Sequence, residues 1–186
     1  MKTTQLANGF ATQIEGVDLS MPLDTDTFET IRDLWMENRI VVFPQQKLDD
    51  DQLVAFTERF GPLFVHAQAS LLTTYKRKEV MELSNLDGVA RPVEYELDWH
   101  TDQTYTPQPV FATILYGIVA PKEGGQTLFS DLAGAYASMP DSMKEKVDGA
   151  TAVYSAEPRP KVRETPLTEE EKARILDCAH PLIRTH

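Results

Sequence analysis

The residues best equipped for chemistry are Trp99-His100-Thr101-Asp102, which set an imidazole and a carboxylate two positions apart. On an extended strand, residues i and i+2 share a face, so both side chains would project together and could hold one metal ion from one side. A histidine, a carboxylate and a second, distant histidine form the facial triad that holds non-haem Fe(II) and leaves positions open for substrate and O2. A His-x-Asp pair is by itself a weak signal. In most chains it marks a surface turn or a hydrogen-bonded pair with no metal, and both readings stand at this point.

Other reactive side chains narrow the choice. Cys178 is the one cysteine in the chain, which excludes an intramolecular disulfide and every cysteine-based zinc motif. It falls in the apolar phase of a helical stretch and reads as a small buried hydrophobe, not a nucleophile. Glu169-Glu170-Glu171 suits the first turn of a helix, where the macrodipole favours acids, better than a metal site. His180 and His186 read as structural, and Arg184 either binds an anion or pairs with one of the many acids.

The net charge of −11 argues against a nucleic-acid partner, which needs a basic face, and against anionic membrane surfaces. It leaves small ligands open. Met1 to Gln5 lacks the apolar run of a signal peptide and no stretch approaches a membrane span, so a cytoplasmic protein is the default. A length of 186 residues with 41% hydrophobic and 25% charged residues suits a single soluble domain over residues 1–186, and a homo-oligomer stays open.

The elements that must position these residues follow from periodicity. Phe10 to Leu19 reads as a strand. Phe28, Ile31, Leu34 and Trp35 recur at helical spacing within Asp24 to Asn38. Ile40 to Phe43 reads as a buried strand stopped by Pro44. Asp49 and Gln52 form a capping pair for a helix lined by Leu53, Phe56 and Phe60 and ended by Gly61-Pro62.

Beyond that point strands are expected over Glu79 to Leu83, Phe111 to Ala120, Thr127 to Phe129 and Ala150 to Tyr154, with Gly124-Gly125 as a tight connection. Asp131 to Met139 and Asp141 to Val147 read as short helices split by Pro140. Asp87-Gly88 is a turn, and Arg91 to Asp98 and Glu157 to Thr165 are loops. Thr168 with Glu171 opens a helix running to about Cys178, and Leu182-Ile183 reads as the start of a strand.

Taken in order, several stretches resemble the taurine and 2,4-dichlorophenoxyacetate (TauD/TfdA-like) dioxygenase family, which uses Fe(II) and 2-oxoglutarate. They are Val41-Val42-Phe43, Phe60-Gly61-Pro62-Leu63, Trp99-His100-Thr101-Asp102, Gly124-Gly125-Gln126-Thr127, Ala135-Tyr136 and His180 to His186. Any one piece could match by chance, whereas their ordered set along nearly the whole chain is specific.

The resemblance implies an α+β fold with a mainly β core, a double-stranded β-helix or jelly roll with flanking helices. It implies that His100 and Asp102 are iron ligands and that Thr127 hydrogen-bonds a carboxylate of 2-oxoglutarate. It also implies that His66 contacts the anionic head group of a small substrate such as a sulfonate, aryloxyalkanoate or alkyl sulfate. Substrate is hydroxylated with O2 while 2-oxoglutarate becomes succinate and CO2; the metal and cosubstrate carry that chemistry and the protein supplies position and shielding. Trp99, Tyr105 and Phe111 could build a dry wall, although Trp99 and Phe111 serve equally well as core.

In the family the second iron-binding histidine and the arginine for the distal carboxylate lie downstream of the segment matched by His180 to His186. The sequence is therefore expected to be C-terminally incomplete, since a half-built roll would expose unpaired edges. Two alternatives remain beside the dioxygenase: a catalytically inactive truncated member acting as a weak metal binder or subunit, and a zinc hydrolase.

Overall fold

A computed structural model describes residues 1–6, 9–65, 77–82, 98–154, 169 and 177–185 of the chain. It divides into two units, Met1–Leu63 with Gly117–Ala135, and Phe64–Tyr116 with Tyr136–His186. Helices and strands are mixed in sequence, and among the described residues no helix is long and apolar enough to cross a membrane.

In the first unit, β1 (Lys2–Gln5), β2 (Ala11–Glu15) and β3 (Ile40–Val42) form one sheet in that order, β1 antiparallel and β3 parallel to β2. The central strand β2 alternates cleanly, burying Thr12 and Ile14 and leaving its other residues half-buried. It stops at Gly16, where φ is +79° and an L side chain would be strained. The expected strand Phe10 to Leu19 is thus real but shorter. β1, wholly polar and exposed, has no apolar pattern to announce it. The expectation that Ile40 to Phe43 is buried fails, because β3 is an edge strand: Ile40 and Val41 are half-buried and Val42 is exposed.

α1 (Thr25–Asn38) starts where Asp24 caps it, accepting from the Thr27 N–H at 2.8 Å and the Thr27 hydroxyl at 2.8 Å. These bonds hold the exposed Asp24 carboxyl below its ordinary value. Its Phe28 and Ile31 are buried against the sheet, each contributing roughly 1.5–3 kcal/mol on leaving water. Asn38 and Thr12, the buried polar groups here, are joined through Gln5, which donates to Asn38 Oδ1 and accepts from the Thr12 hydroxyl.

α2 (Asp50–Glu58) carries the expected capping box: the Gln52 N–H donates to Asp49 Oδ1 at 2.8 Å and the Asp49 N–H to Gln52 Oε1 at 2.9 Å. Val54 and Phe56 are its buried residues, while Leu53 and Phe60 of the expected inner face are half-buried. Phe60 nevertheless gathers Phe28, Phe56 and Trp35 edge-on, with centroids 4.9, 5.4 and 5.6 Å away. The Arg59 guanidinium lies 4.2 Å from the Phe28 ring centroid.

α3 (Leu132–Ala137) and α4 (Asp141–Val147) confirm two short helices split by Pro140; α3 is shorter than expected at both ends and α4 has the expected bounds. In the second unit β4 (Thr151–Tyr154) pairs antiparallel with β5 (Cys178–Pro181). This corrects the reading of Cys178. Asp177 is not helical and Cys178 opens a strand that buries Cys178 and His180 on one face, so the thiol is buried as expected but on a different element. Leu182 and Ile183 sit in a bend after β5, anchored by the Leu182 N–H donating to the Ala150 carbonyl at 2.8 Å.

Three further strand expectations fail among the described residues. Residues 77–80 form a turn, with the Val80 N–H donating to the Arg77 carbonyl, so Glu79 to Glu82 is not a strand. Phe111 to Ala120 and Thr127 to Phe129 join no ladder. Alternation survives in the first: Ile114 and Tyr116 are half-buried between exposed Thr113, Leu115 and Gly117. Periodicity sets which side chains can share a face, but a strand also needs a partner backbone. Leu83, Asp87-Gly88, residues 91–97, Glu157 to Thr165 and most of the helix expected after Thr168 lie outside the described residues.

Candidate metal centre

His100 and Asp102 belong to the second unit, and they meet. His100 Nε2 stands 3.4 Å from Asp102 Oδ1, with both side chains about half exposed. The reason differs from the expected one. No strand ladder runs through residues 98–102; the chain bends at Trp99 and turns from Asp102 onward, and that bend brings the side chains together.

Each side chain is oriented from behind. His100 Nδ1 lies 2.8 Å from the Asp98 carbonyl oxygen, which can only accept, so this nitrogen carries the proton. In the neutral ring Nε2 then presents a lone pair. Asp102 Oδ2 accepts from the Thr113 hydroxyl at 2.8 Å, which turns Oδ1 toward the imidazole. Two acceptors facing each other at 3.4 Å repel unless a proton or a cation lies between them. Both can lie about 2.1 Å from a single cation, and a backbone-anchored imidazole with a hydrogen-bonded carboxylate is the usual support for metal ligands. The donor set therefore fits a divalent metal such as Fe(II). Among the described residues no group of three histidine, cysteine, aspartate or glutamate side chains converges on one point.

The turn after Asp102 is closed by the Thr106 N–H and hydroxyl, both donating to the Gln103 carbonyl, at 3.0 and 2.8 Å. Gln103 itself adopts φ +55°, a left-handed conformation unusual for a residue with a side chain, and its buried Oε1 has no hydrogen-bond partner among the described residues. Burial pushes the Tyr105 hydroxyl above the ordinary tyrosine value; a hydrogen bond from Gln103 opposes the shift and the charge of Asp102 adds to it.

The other sequence-derived residues divide sharply. Trp99 and Phe111 are 69% and 51% exposed, so neither is a core residue among the described residues. Thr127 belongs to the first unit, exposed, just past Gly124 and Gly125 with φ +77° and +67°. A Cβ on Gly125 would lie 3.1 Å from Pro121 Cγ, so the turn favours glycine there twice over. Four residues after Thr127, Asp131 caps α3 through the Gly134 N–H and pairs with Arg39 Nε at 3.3 Å. His66 and His186 lie outside the described residues. Arg184 is exposed, and His180 is buried and bonded to main-chain carbonyls, the structural role expected of it. Thr113 was missed: a hydroxyl eleven residues beyond Asp102 carries no sequence signal of its own.

Comparison with known proteins gives a consistent result. The family model for the taurine catabolism dioxygenase TauD, TfdA family matches residues 2–186. The chain is 30% identical to the alpha-ketoglutarate-dependent 2,4-dichlorophenoxyacetate dioxygenase of Cupriavidus pinatubonensis, over 95% of this chain and 66% of that protein. It is 29% identical to the alpha-ketoglutarate-dependent sulfate ester dioxygenase of Pseudomonas putida, over 97% of this chain and 61% of that protein. A crystal structure of a taurine dioxygenase from Burkholderia xenovorans superposes with a TM-score of 0.74 at 26% identity, covering 100% of this chain and 59% of that one. The chain thus spans less than two thirds of the length of the relatives it matches.

Proposed function

Because the chain belongs to the TauD, TfdA family of dioxygenases, we propose that the protein is an Fe(II)- and 2-oxoglutarate-dependent dioxygenase that hydroxylates a small anionic organic molecule. The observation that carries this reading is the facing pair His100 Nε2 and Asp102 Oδ1, 3.4 Å apart and each fixed from behind by a hydrogen bond. When bound, the metal and 2-oxoglutarate supply oxidative chemistry that couples decarboxylation of the cosubstrate to hydroxylation of the substrate.

The chain's own residues hold and orient. His100 and Asp102 are two of the metal's ligands, and the Asp98 carbonyl keeps the imidazole in the tautomer that offers Nε2. Thr127 donates its hydroxyl to a carboxylate of 2-oxoglutarate, and His66 faces the anionic head group of the substrate. The frame we read for the chain is a jelly roll over a single domain. The named relatives act on an aryloxyalkanoate and a sulfate ester, both small organic anions, which supports a substrate of the aryloxyalkanoate, alkyl sulfate or sulfonate type.

Thr113 belongs to this reading. Thr113→Val keeps shape and removes the donor to Asp102, and is expected to weaken Mn(II) binding about tenfold, the low end for partners behind metal ligands. Thr113→Ser should restore it. Free Mn(II), followed by its EPR signal, reads the effect; equal affinity in Thr113→Val would remove Thr113 from the site.

The function itself is tested by succinate release in air with Fe(II), 2-oxoglutarate and a panel of sulfonates, aryloxyalkanoates and alkyl sulfates. One class should stimulate succinate formation above the substrate-free rate. No succinate with any compound, nor without substrate, leaves the inactive family member as the correct reading, and turnover of an ester that ignores 2-oxoglutarate the hydrolase.

A further inference from the structure

His180 is a buried histidine, 8% exposed, that the proposed chemistry does not use. It sits on β5 opposite Ala152 of β4, and its ring packs 5.9 Å from that of Tyr154. Nε2 lies 2.9 Å from the Thr104 carbonyl oxygen and 3.0 Å from that of Thr106. Both partners can only accept, so Nε2 carries the proton and shares it between them. His180 is thereby the opposite tautomer to His100, whose proton is on Nδ1.

The two carbonyls held by His180 belong to the turn that follows Asp102. Gln103 occupies its left-handed conformation between the carboxylate and this clamp. A non-glycine residue stays in such a conformation only where its surroundings over-determine it. The Thr106 bonds tie the turn to itself, whereas His180 ties it to a strand more than seventy residues away in sequence. From this geometry we infer that His180 is a positioning residue for the metal ligand Asp102. By satisfying both carbonyls it fixes the turn at Gln103, and with it the direction in which the carboxylate leaves the backbone. The inference rests on the proposed metal-binding role of His100 and Asp102.

Mn(II) titration of the intact protein, followed by EPR well below the melting temperature, tests it. His180→Leu removes the shared N–H and is expected to weaken Mn(II) binding about tenfold, within the range seen for outer-shell partners. His180→Gln can place an amide nitrogen near the Nε2 position and should recover most of the affinity. His180→Asn stops near the Nδ1 position and should not. That split separates positioning from simple loss of packing, since both amides pack less well than imidazole.

Wild-type affinity in a folded His180→Leu protein overturns the inference. Should His180→Leu fail to fold, the two amides decide alone, and equal affinities in them overturn it. If the wild-type protein binds no Mn(II), or binds it equally well as His100→Ala, the metal reading fails and this inference with it. Loss in His100→Ala beside no loss in His180→Leu contradicts the inference while leaving the metal reading intact.

Discussion

Asp102→Ala is expected to weaken divalent-metal binding by more than about 100-fold, beyond the 10–100-fold typical of partners that only support a ligand. Asp102→Asn keeps the side-chain shape and the acceptor for the Thr113 hydroxyl but removes the charge, and should lose nearly as much. His100→Ala should match them, because it removes the facing donor. The competing account, an ion pair between a protonated His100 and Asp102, makes a different forecast. Both side chains are about half exposed, and such a pair contributes about 0–1 kcal/mol. On that account the variants would change stability slightly and metal binding not at all. Calorimetric titration with Mn(II), beside a chemical denaturation curve for each variant, separates the two.

Ile31→Ala is expected to cost about 2–5 kcal/mol of stability, the usual range for a buried aliphatic truncated to a methyl. Ile31 is 0% exposed on the face of α1 that packs against the sheet, where β2 contributes the equally buried Ile14. A large void would remain, because α1 is fixed at both ends: Asp24 caps its start and the Arg39 N–H closes its last turn on the Trp35 carbonyl. Val42→Ala, on the exposed edge of the same sheet, should cost under about 1 kcal/mol. Urea unfolding monitored by tryptophan fluorescence measures both, and a cost for Ile31→Ala as small as that for Val42→Ala would contradict the packing described.

How far the sequence could be read depends on which interactions leave a local trace. α1 and α2 were legible because a cap and an apolar stripe lie within one stretch of chain; Asp49 and Gln52 even specify the reciprocal bonds. β1 was invisible, since an exposed edge strand has no inward face to pattern. Cys178 reads as helical in the sequence because β5 buries a cysteine and a histidine, and a polar inward residue hides the period of two. Phe111 to Ala120 shows the converse, a period of two with no ladder among the described residues.

At the site, the residue types of His100 and Asp102 were enough to nominate them, but not to say how they meet. A bend at Trp99 and a turn at Gln103 achieve what a strand was expected to. Thr113 and His180 act through a hydroxyl and through main-chain carbonyls, and neither contact has a sequence spacing that could announce it.

Addition of Fe(II) and 2-oxoglutarate together, without oxygen, to the intact protein tests the central claim most directly. A weak visible charge-transfer band should appear with both present, be absent with either alone, and vanish in Asp102→Ala. A wild-type protein that shows no band, or an Asp102→Ala protein that keeps it, would contradict the assignment of His100 and Asp102 as the metal's ligands.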